Sequence, residues 1–454
     1  MQKKDLTTGS ITKNLLSLSL PTMFGYLSYT LYDLADMAWI GRISPEALAS
    51  VTIVATIFWL VEVLNEVIGT SSVSLISQSF GAGNLDRTRR VIEQTLTFKA
   101  LVALIAAGIL LISLKPLVMF FTQDPQVQNY CFEYGTIRLY FLPLMFSSYT
   151  VNTALRCTGD AKKPMIIMFA SSLLNILLDP VFIFDLIPGT TIPGLGLGIF
   201  GAALATVLSG TLAFAAGLFI LFSNYSRVRI SFNGLYKLDW SIDKKLLTIG
   251  LPAGLEMFFR NFAQFFTLKL ISFYGTIALA ALGIGRRLIG FAFMPLLGLL
   301  IGGSAIAGQN LGAGNIERAE KTAYTASILG GIIITLILLV MMFIPEMIMA
   351  VFTNSGEVIN TGIPMIRLVS IGLLATGFMF GLASVFSGSG YNIPFLISSI
   401  VSRWLFQLPF LYLAIVIFKT PLFYVWVSFP LADLIELVLI VLYFKRGKWR
   451  SVRV

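Results

Sequence analysis

The chain has 454 residues, of which 57% are hydrophobic and only 12% charged, with a net charge of +10. A soluble domain of ordinary composition is about 25% charged, so a water-facing surface is excluded and a lipid-embedded protein is expected. Histidine is absent and cysteine is limited to Cys131 and Cys157, which excludes a histidine metal centre and a disulfide framework.

Taken in chain order, residues 1–13 are polar and lack a cleavable signal, so the first apolar helix serves as the targeting signal. Twelve apolar stretches follow, each long enough to cross about 30 Å of hydrocarbon. The first six cover 15–40, 47–78, 91–114, 127–155, 164–184 and 196–222, and the second six cover 244–274, 278–309, 320–344, 358–386, 394–418 and 422–444. The fold class is therefore an all-α integral membrane protein. The longest hydrophilic stretch, around Ser223–Lys245, divides it into an N-terminal six-helix lobe (1–222), a linker (223–243) and a C-terminal six-helix lobe (244–454).

The two lobes are copies. Gly81-Ala82-Gly83-Asn84-Leu85-Asp86-Arg87 returns as Gly312-Ala313-Gly314-Asn315-Ile316-Glu317-Arg318. The same offset of 231 carries Pro21 onto Pro252 and Phe121-Thr122 onto Phe352-Thr353. A single offset in separate places marks a duplicated half. Six spans per copy orient both copies alike, so a pseudo-two-fold along the membrane normal and a central cavity opening alternately to each side are expected.

An even number of spans puts both termini on one side. Lys3, Lys4 and Lys13, Arg87, Arg89 and Arg90, Lys162 and Lys163, Lys244 and Lys245, and the Lys445–Arg453 cluster share that side. The opposite loops hold only Arg42, Lys115 and Lys419. The positive-inside rule then places both termini in the cytoplasm of a multi-pass cell-membrane protein. The basic balance thus reports topology, with anionic lipid as a neighbour, and nucleic acid is not a partner. The glycine-rich turns follow apolar helices and lack a Lys-Ser/Thr, so they do not match a phosphate loop. They read as helix caps, with Gly81 or Gly83 in a left-handed conformation and Asn84 opening the next helix.

Ionisable residues inside a membrane are costly and call for a partner or a function. Asp33 and Asp36 lie on the first span; Asn175 and Asp179, four apart, share one face of the fifth. Pro180 lacks an N–H and frees a carbonyl one turn back. Two carboxylates, an amide and a loose carbonyl can hold Na⁺ or share a proton. Glu62 and Glu66 are further cavity candidates, as are Glu256 and Arg260, which at a spacing of four can also form a silent ion pair. Arg286, Arg287, Arg367, Arg403, Asp433 and Glu436 read mostly as structural pairs.

The duplicated plan, Pro21 and Asp36 of the first span, the paired Gly-Ala-Gly-Asn turns, Asn-Ile-Leu-Leu-Asp-Pro in the fifth span and Leu-Pro-Ala-Gly-Leu-Glu in the seventh together resemble MATE multidrug exporters, closest to the archaeal and DinF-like branch. The resemblance covers essentially the whole chain. It implies a V-shaped pair of lobes that export organic cations or amphipathic toxins by H⁺ or Na⁺ antiport, without a cofactor. It further implies a coupling-ion site at Asp36, Asn175, Asp179 and Thr206, and a helix that bends at Pro21. Asp33, Glu62 and Glu66 are outside that pattern. A monomer is expected to suffice. A flippase of lipid-linked sugars is the nearest alternative, disfavoured by the acids named above. An intramembrane aspartyl protease is more remote, because no Gly-x-Gly-Asp partner exists and such an enzyme does not explain the duplication.

Overall fold

The computed structural model describes residues 6–454, so Lys3 and Lys4 lie outside the described residues. Helices coincide with all twelve expected spans. They are α1 (Ile11–Ile40), α2 (Pro45–Gly81), α3 (Leu85–Phe121), α4 (Pro125–Tyr140) with α5 (Leu142–Cys157), α6 (Lys162–Ile183) and α7 (Gly198–Phe222), then, beyond the short α8 (Phe232–Leu235), α9 (Trp240–Ile271), α10 (Thr276–Gly312) and α11 (Ile316–Phe343). After the short α12 (Pro345–Ala350) come α13 (Gly356–Ser389), a composite helix containing α14 (Ile393–Ser399) and α15 (Leu408–Tyr412), and α16 (Leu422–Arg446).

Two spans are more irregular than the hydropathy suggests. The expected 127–155 helix breaks at Phe141, where Leu142 and Pro143 open a new helix; proline suits a first turn because its missing N–H would have no partner there. Cys131 and Cys157 consequently sit on different helices, both buried and not joined by a disulfide. The composite helix winds in wide π turns over Ile400–Gln407 and Leu413–Ile417; Pro409, lying between them, cannot donate to the turn before it. Nine of the described helices are long and apolar enough to cross a membrane. The α4–α5 pair falls outside this set because each piece has 16 residues. α1 and α9 fall outside it as helices rich in polar side chains, Asp36 and Arg260 among them.

Packing defines two compact units. One comprises Phe24–Phe80 with Asn84–Leu247, and the other Thr248–Val454 with Gly81–Gly83 and the chain up to Met23. The division cuts α1 just after Pro21, so one continuous helix serves both units. In the first unit, Val54, Tyr134, Phe146 and Ala203 belong to one apolar core; in the second, Leu296, Met365, Leu411 and Trp426 do. The start of α1 is fastened within the second unit. Gly298 and Gly302 of α10 admit Ser19 so closely that an added Cβ would meet its carbonyl oxygen at 2.8 Å and its hydroxyl at 2.5 Å. Arg318 donates to the carbonyls of Thr8 and Gly9 at 2.7 and 2.9 Å, and Asn310 to that of Leu6 at 3.3 Å.

The repeated turns fold alike. α2 ends at Gly81 and α10 at Gly312, with Gly83 (φ +73°) and Gly314 (φ +80°) in the left-handed region that glycine occupies without strain. The Asn84 and Asn315 amides reach back to the Ser79 and Asn310 carbonyls at 3.1 and 2.8 Å. Asn84 also caps α3, its Oδ1 accepting from the Arg87 amide at 2.9 Å; Asn315 makes no such side-chain bond. Gly81 needs to be glycine for a separate reason, because a Cβ there would meet the Gln309 carbonyl oxygen at 2.0 Å and its Cα at 2.5 Å. Backbone cannot rotate aside. Gly81→Ala is therefore expected to cost about 1–3 kcal/mol, read as a lowered melting temperature in detergent, whereas Ala82→Gly should change it little.

The segment after α7 is strapped to its own unit. Lys163 donates to the Tyr225 carbonyl at 2.7 Å and Arg227 to the Thr158 carbonyl at 2.7 Å. Buried Glu93 accepts from the Ser231 amide at 2.6 Å and its hydroxyl at 2.9 Å, and the Thr97 hydroxyl donates to the Leu235 carbonyl at 2.7 Å. Hydrophilic composition marked this stretch as a linker; its hydrogen bonds make it a fixed part of the Phe24–Leu247 unit.

Candidate functional site

Asn175 and Asp179 stand one turn apart on α6, and both face inward because the apolar side chains of that helix, among them Ile166, Leu173 and Leu177, take the outer face. Asp179 is fully buried and Asn175 is 1% exposed. The Asn175 amide lies 3.3 Å from Asp179 Oδ1 and 3.5 Å from the Thr206 hydroxyl of α7, donating to both. Thr206 spends its own hydrogen on the Ala202 carbonyl at 3.1 Å, so its oxygen is left to accept. Asp36 of α1 is also buried, and its carboxyl lies within Coulombic reach of Asp179.

Three oxygens of this cluster, Asp36 Oδ1, Asn175 Oδ1 and Asp179 Oδ2, are buried and accept no hydrogen bond. Buried acceptors without donors are rare and unfavourable. Protonating a carboxyl, or balancing it with a hard cation such as Na⁺, relieves oxygens of this kind, and Thr206 Oγ1 is a further oxygen beside Asn175. The donor set is all oxygen, with no thiol or imidazole to favour a transition metal. The arrangement is thus suited to taking up and releasing a small cation, and it holds no nucleophile–base pair for bond cleavage.

Asp33 is placed differently from Asp36. It lies on the exposed side of α1. Both acids have a neighbour absent from the sequence-based set, Arg138 of α4. The Arg138 guanidinium donates to the Tyr134 hydroxyl at 3.1 Å and lies 5.2 Å from the Phe58 ring centroid. The Arg138–Tyr134 pair thus puts a fixed positive charge near the candidate cation site. Arg138 lies in the middle of an expected span, where a basic residue is as costly as an acidic one. That cost was the signal available in the sequence; counting basic residues only in loops passed over it.

Pro21 and Pro180 leave α1 and α6 continuous. Glu62 and Glu66 of α2 are half-buried and near a further buried cation, Lys99 of α3, whose ammonium sits 4.5 Å from the Tyr149 ring centroid. Glu256 and Arg260 do form an ion pair, at one end of a longer chain of charges in the second unit. Arg260 also bonds Glu436, which is 3.2 Å from Arg403, and Arg403 pairs with Asp433. The Ser402 hydroxyl adds a bond to Glu436 at 3.3 Å. Arg286, by contrast, donates to Gln264 at 3.1 Å and pairs with no acid among these.

The positions equivalent to the cation cluster in the second copy hold no acid. Asp36 corresponds to Thr267, whose hydroxyl bonds the Ala263 carbonyl at 2.9 Å. With two residues of slippage to match Pro180 with Pro409, Asp179 corresponds to Leu408 and Asn175 to Trp404, whose indole N–H donates to the Phe259 carbonyl at 3.0 Å with Phe259 and Phe266 against its ring. The duplicated frame carries a polar cluster in one copy and an aromatic one in the other.

Comparison with known proteins gives a matching account. The MatE family model matches the chain twice, over residues 21–181 and 252–413; the two matches begin as far apart as Pro21 and Pro252. The probable multidrug resistance protein YoeA of Bacillus subtilis is 27% identical, over 96% of this chain and 94% of its own length. The probable multidrug resistance protein NorM of Thermotoga maritima is 26% identical, over 97% and 94%. A solved outward-facing structure of a multidrug resistance MATE family transporter superposes with a TM-score of 0.89, at 25% identity and 98% coverage of each chain. With twelve helical spans among the described residues, six in each copy, and both copies matched by one family model, the chain belongs to the MATE family and is a membrane transporter of small molecules rather than an enzyme.

Proposed function

We propose that this transporter is a secondary-active multidrug exporter that moves organic cations and other amphipathic molecules out across the cell membrane in exchange for H⁺ or Na⁺. Both termini then face the cytoplasm, by the distribution of basic residues, and one chain is the working unit. The observation that carries the reading is the trio of unpartnered buried oxygens on Asp36, Asn175 and Asp179. Two carboxylates that share a dry interior disfavour being ionised together unless a cation joins them. Cation uptake and cation release are therefore the events most strongly tied to the conformation of this unit. The multidrug resistance relatives support the substrate class.

In this scheme the ionised Asp36–Asp179 pair favours a cationic drug. Entry of H⁺ or Na⁺ from outside cancels the negative charge, α1 bends at Pro21, and the drug leaves outward. Proline suits that role because it leaves the Ser17 carbonyl without its usual donor, weakening the helix one turn back. The test is ethidium efflux from proteoliposomes given first a pH gradient alone and then a Na⁺ gradient alone. Acceleration by one of the two is expected and names the ion; acceleration by neither overturns the antiport reading.

A further inference from the structure

The cation cluster leaves unused a second set of charges in the Phe24–Leu247 unit. Glu62, Asn65, Glu66 and Thr70 form one stripe of α2, at the spacings that bring helix side chains together. Asn65 donates to Glu62 at 2.8 Å and the Thr70 hydroxyl donates to Glu66, while the buried Asn65 Oδ1 accepts nothing. Both glutamates are half-buried, and Leu60 and Leu64 beside them are exposed, so the stripe has an open edge.

Behind the stripe lies Lys99, completely buried, with an Nζ that donates no hydrogen bond. It is held by the face of Tyr149 and by the charges of Glu66 and Glu62. Gly69 of α2 makes room for that ring: a Cβ there would meet Tyr149 Cε1 at 2.8 Å. A buried ammonium ordinarily needs donors satisfied as well as charge balanced. Here geometry supplies only a ring face and charge, which are the two things that also hold an organic cation.

We infer that Lys99 is a tethered internal cation that sets which substrate charge the Glu62–Glu66 stripe accepts, a monocation with Lys99 in place and a dication without it. The inference rests on the export of organic cations proposed above. Two carboxylates carry two negative charges and the ammonium cancels one of them. Arg156, buried with its guanidinium 5.7 Å from the Tyr26 ring centroid, is a further cation near Tyr149. It contributes equally in every variant below, so differences among them report Lys99 and the glutamates.

The test is calorimetric binding of tetraphenylphosphonium, a monocation, and dequalinium, a dication, to the full chain in detergent with no ion gradient. Lys99→Met should shift the affinity ratio at least tenfold toward the dication. Glu66→Gln should weaken tetraphenylphosphonium at least tenfold, and the double variant Lys99→Met/Glu66→Gln should return the ratio to that of the parent protein. Should Lys99→Met not fold, Glu62→Gln decides the matter, with the same tenfold loss of monocation affinity expected. Unchanged ratios in folded variants overturn the inference alone. So does a Glu66→Gln protein that binds normally and loses only its gradient-driven transport, which makes the stripe a coupling site. A parent protein that binds neither probe overturns the export reading and the inference with it.

Discussion

Asparagine in place of Asp36 or of Asp179 is expected to reduce gradient-driven efflux to the level of empty vesicles. Each exchange keeps the shape of the side chain and removes the charge on which cation uptake depends. No cavity is created, so both variants should melt within about 1 kcal/mol of the parent protein. Thr206→Ala should do much less. It removes one neutral acceptor, worth about 1 kcal/mol, and should weaken the driving ion's apparent affinity roughly fivefold with maximal efflux retained. Full gradient-driven transport by both aspartate variants would remove the cluster from the mechanism.

The largest effect on stability is expected in the other unit, from Arg260→Met. This change removes the partner of both Glu256 and the buried Glu436, leaving Arg403 as the one base among three acids. Stranding a buried charge costs about 3–5 kcal/mol, enough to lower the melting temperature by several degrees and the yield of folded protein with it. The companion variant Arg260→Met/Glu256→Gln/Glu436→Gln takes away the stranded acids together with their partner and should recover most of the loss. If the triple variant melts no higher than the single one, packing of the Arg260 side chain rather than its charge is what matters.

Much of this molecule is legible in its sequence, and the parts that are not share a cause. Long apolar runs reveal spans because lipid leaves few alternatives to a helix. The Gly83 and Gly314 turns are legible because only glycine sits comfortably at positive φ there. Asn175 and Asp179 are readable as a pair because four residues along a helix is a fixed geometry. Arg138, Tyr134 and Lys99 are not readable as partners of the acids, since what brings them together is packing among α1, α2, α3 and α4. The break at Phe141 and the wide turns near Pro409 escape hydropathy, which averages over a span and is blind to which amide is missing. The strap of Glu93 onto Ser231 escapes it as well, because hydrophilicity reports solvation and does not register a hydrogen bond 138 residues away.

The divided allegiance of α1 has a consequence for how the chain is made. Its first turns are emitted well before α10, yet the glycines that receive Ser19 belong to α10, and the side chains that hold Thr8 and Leu6 are Arg318 and Asn310. More than 270 residues must follow before those partners exist. During synthesis the leading segment of α1 is thus a helix in waiting, inserted but unpacked, and closing so long a loop is slow. A nascent chain halted after residue 247 should therefore leave this segment open to protease or cysteine-labelling reagents, and release of the full chain should close it.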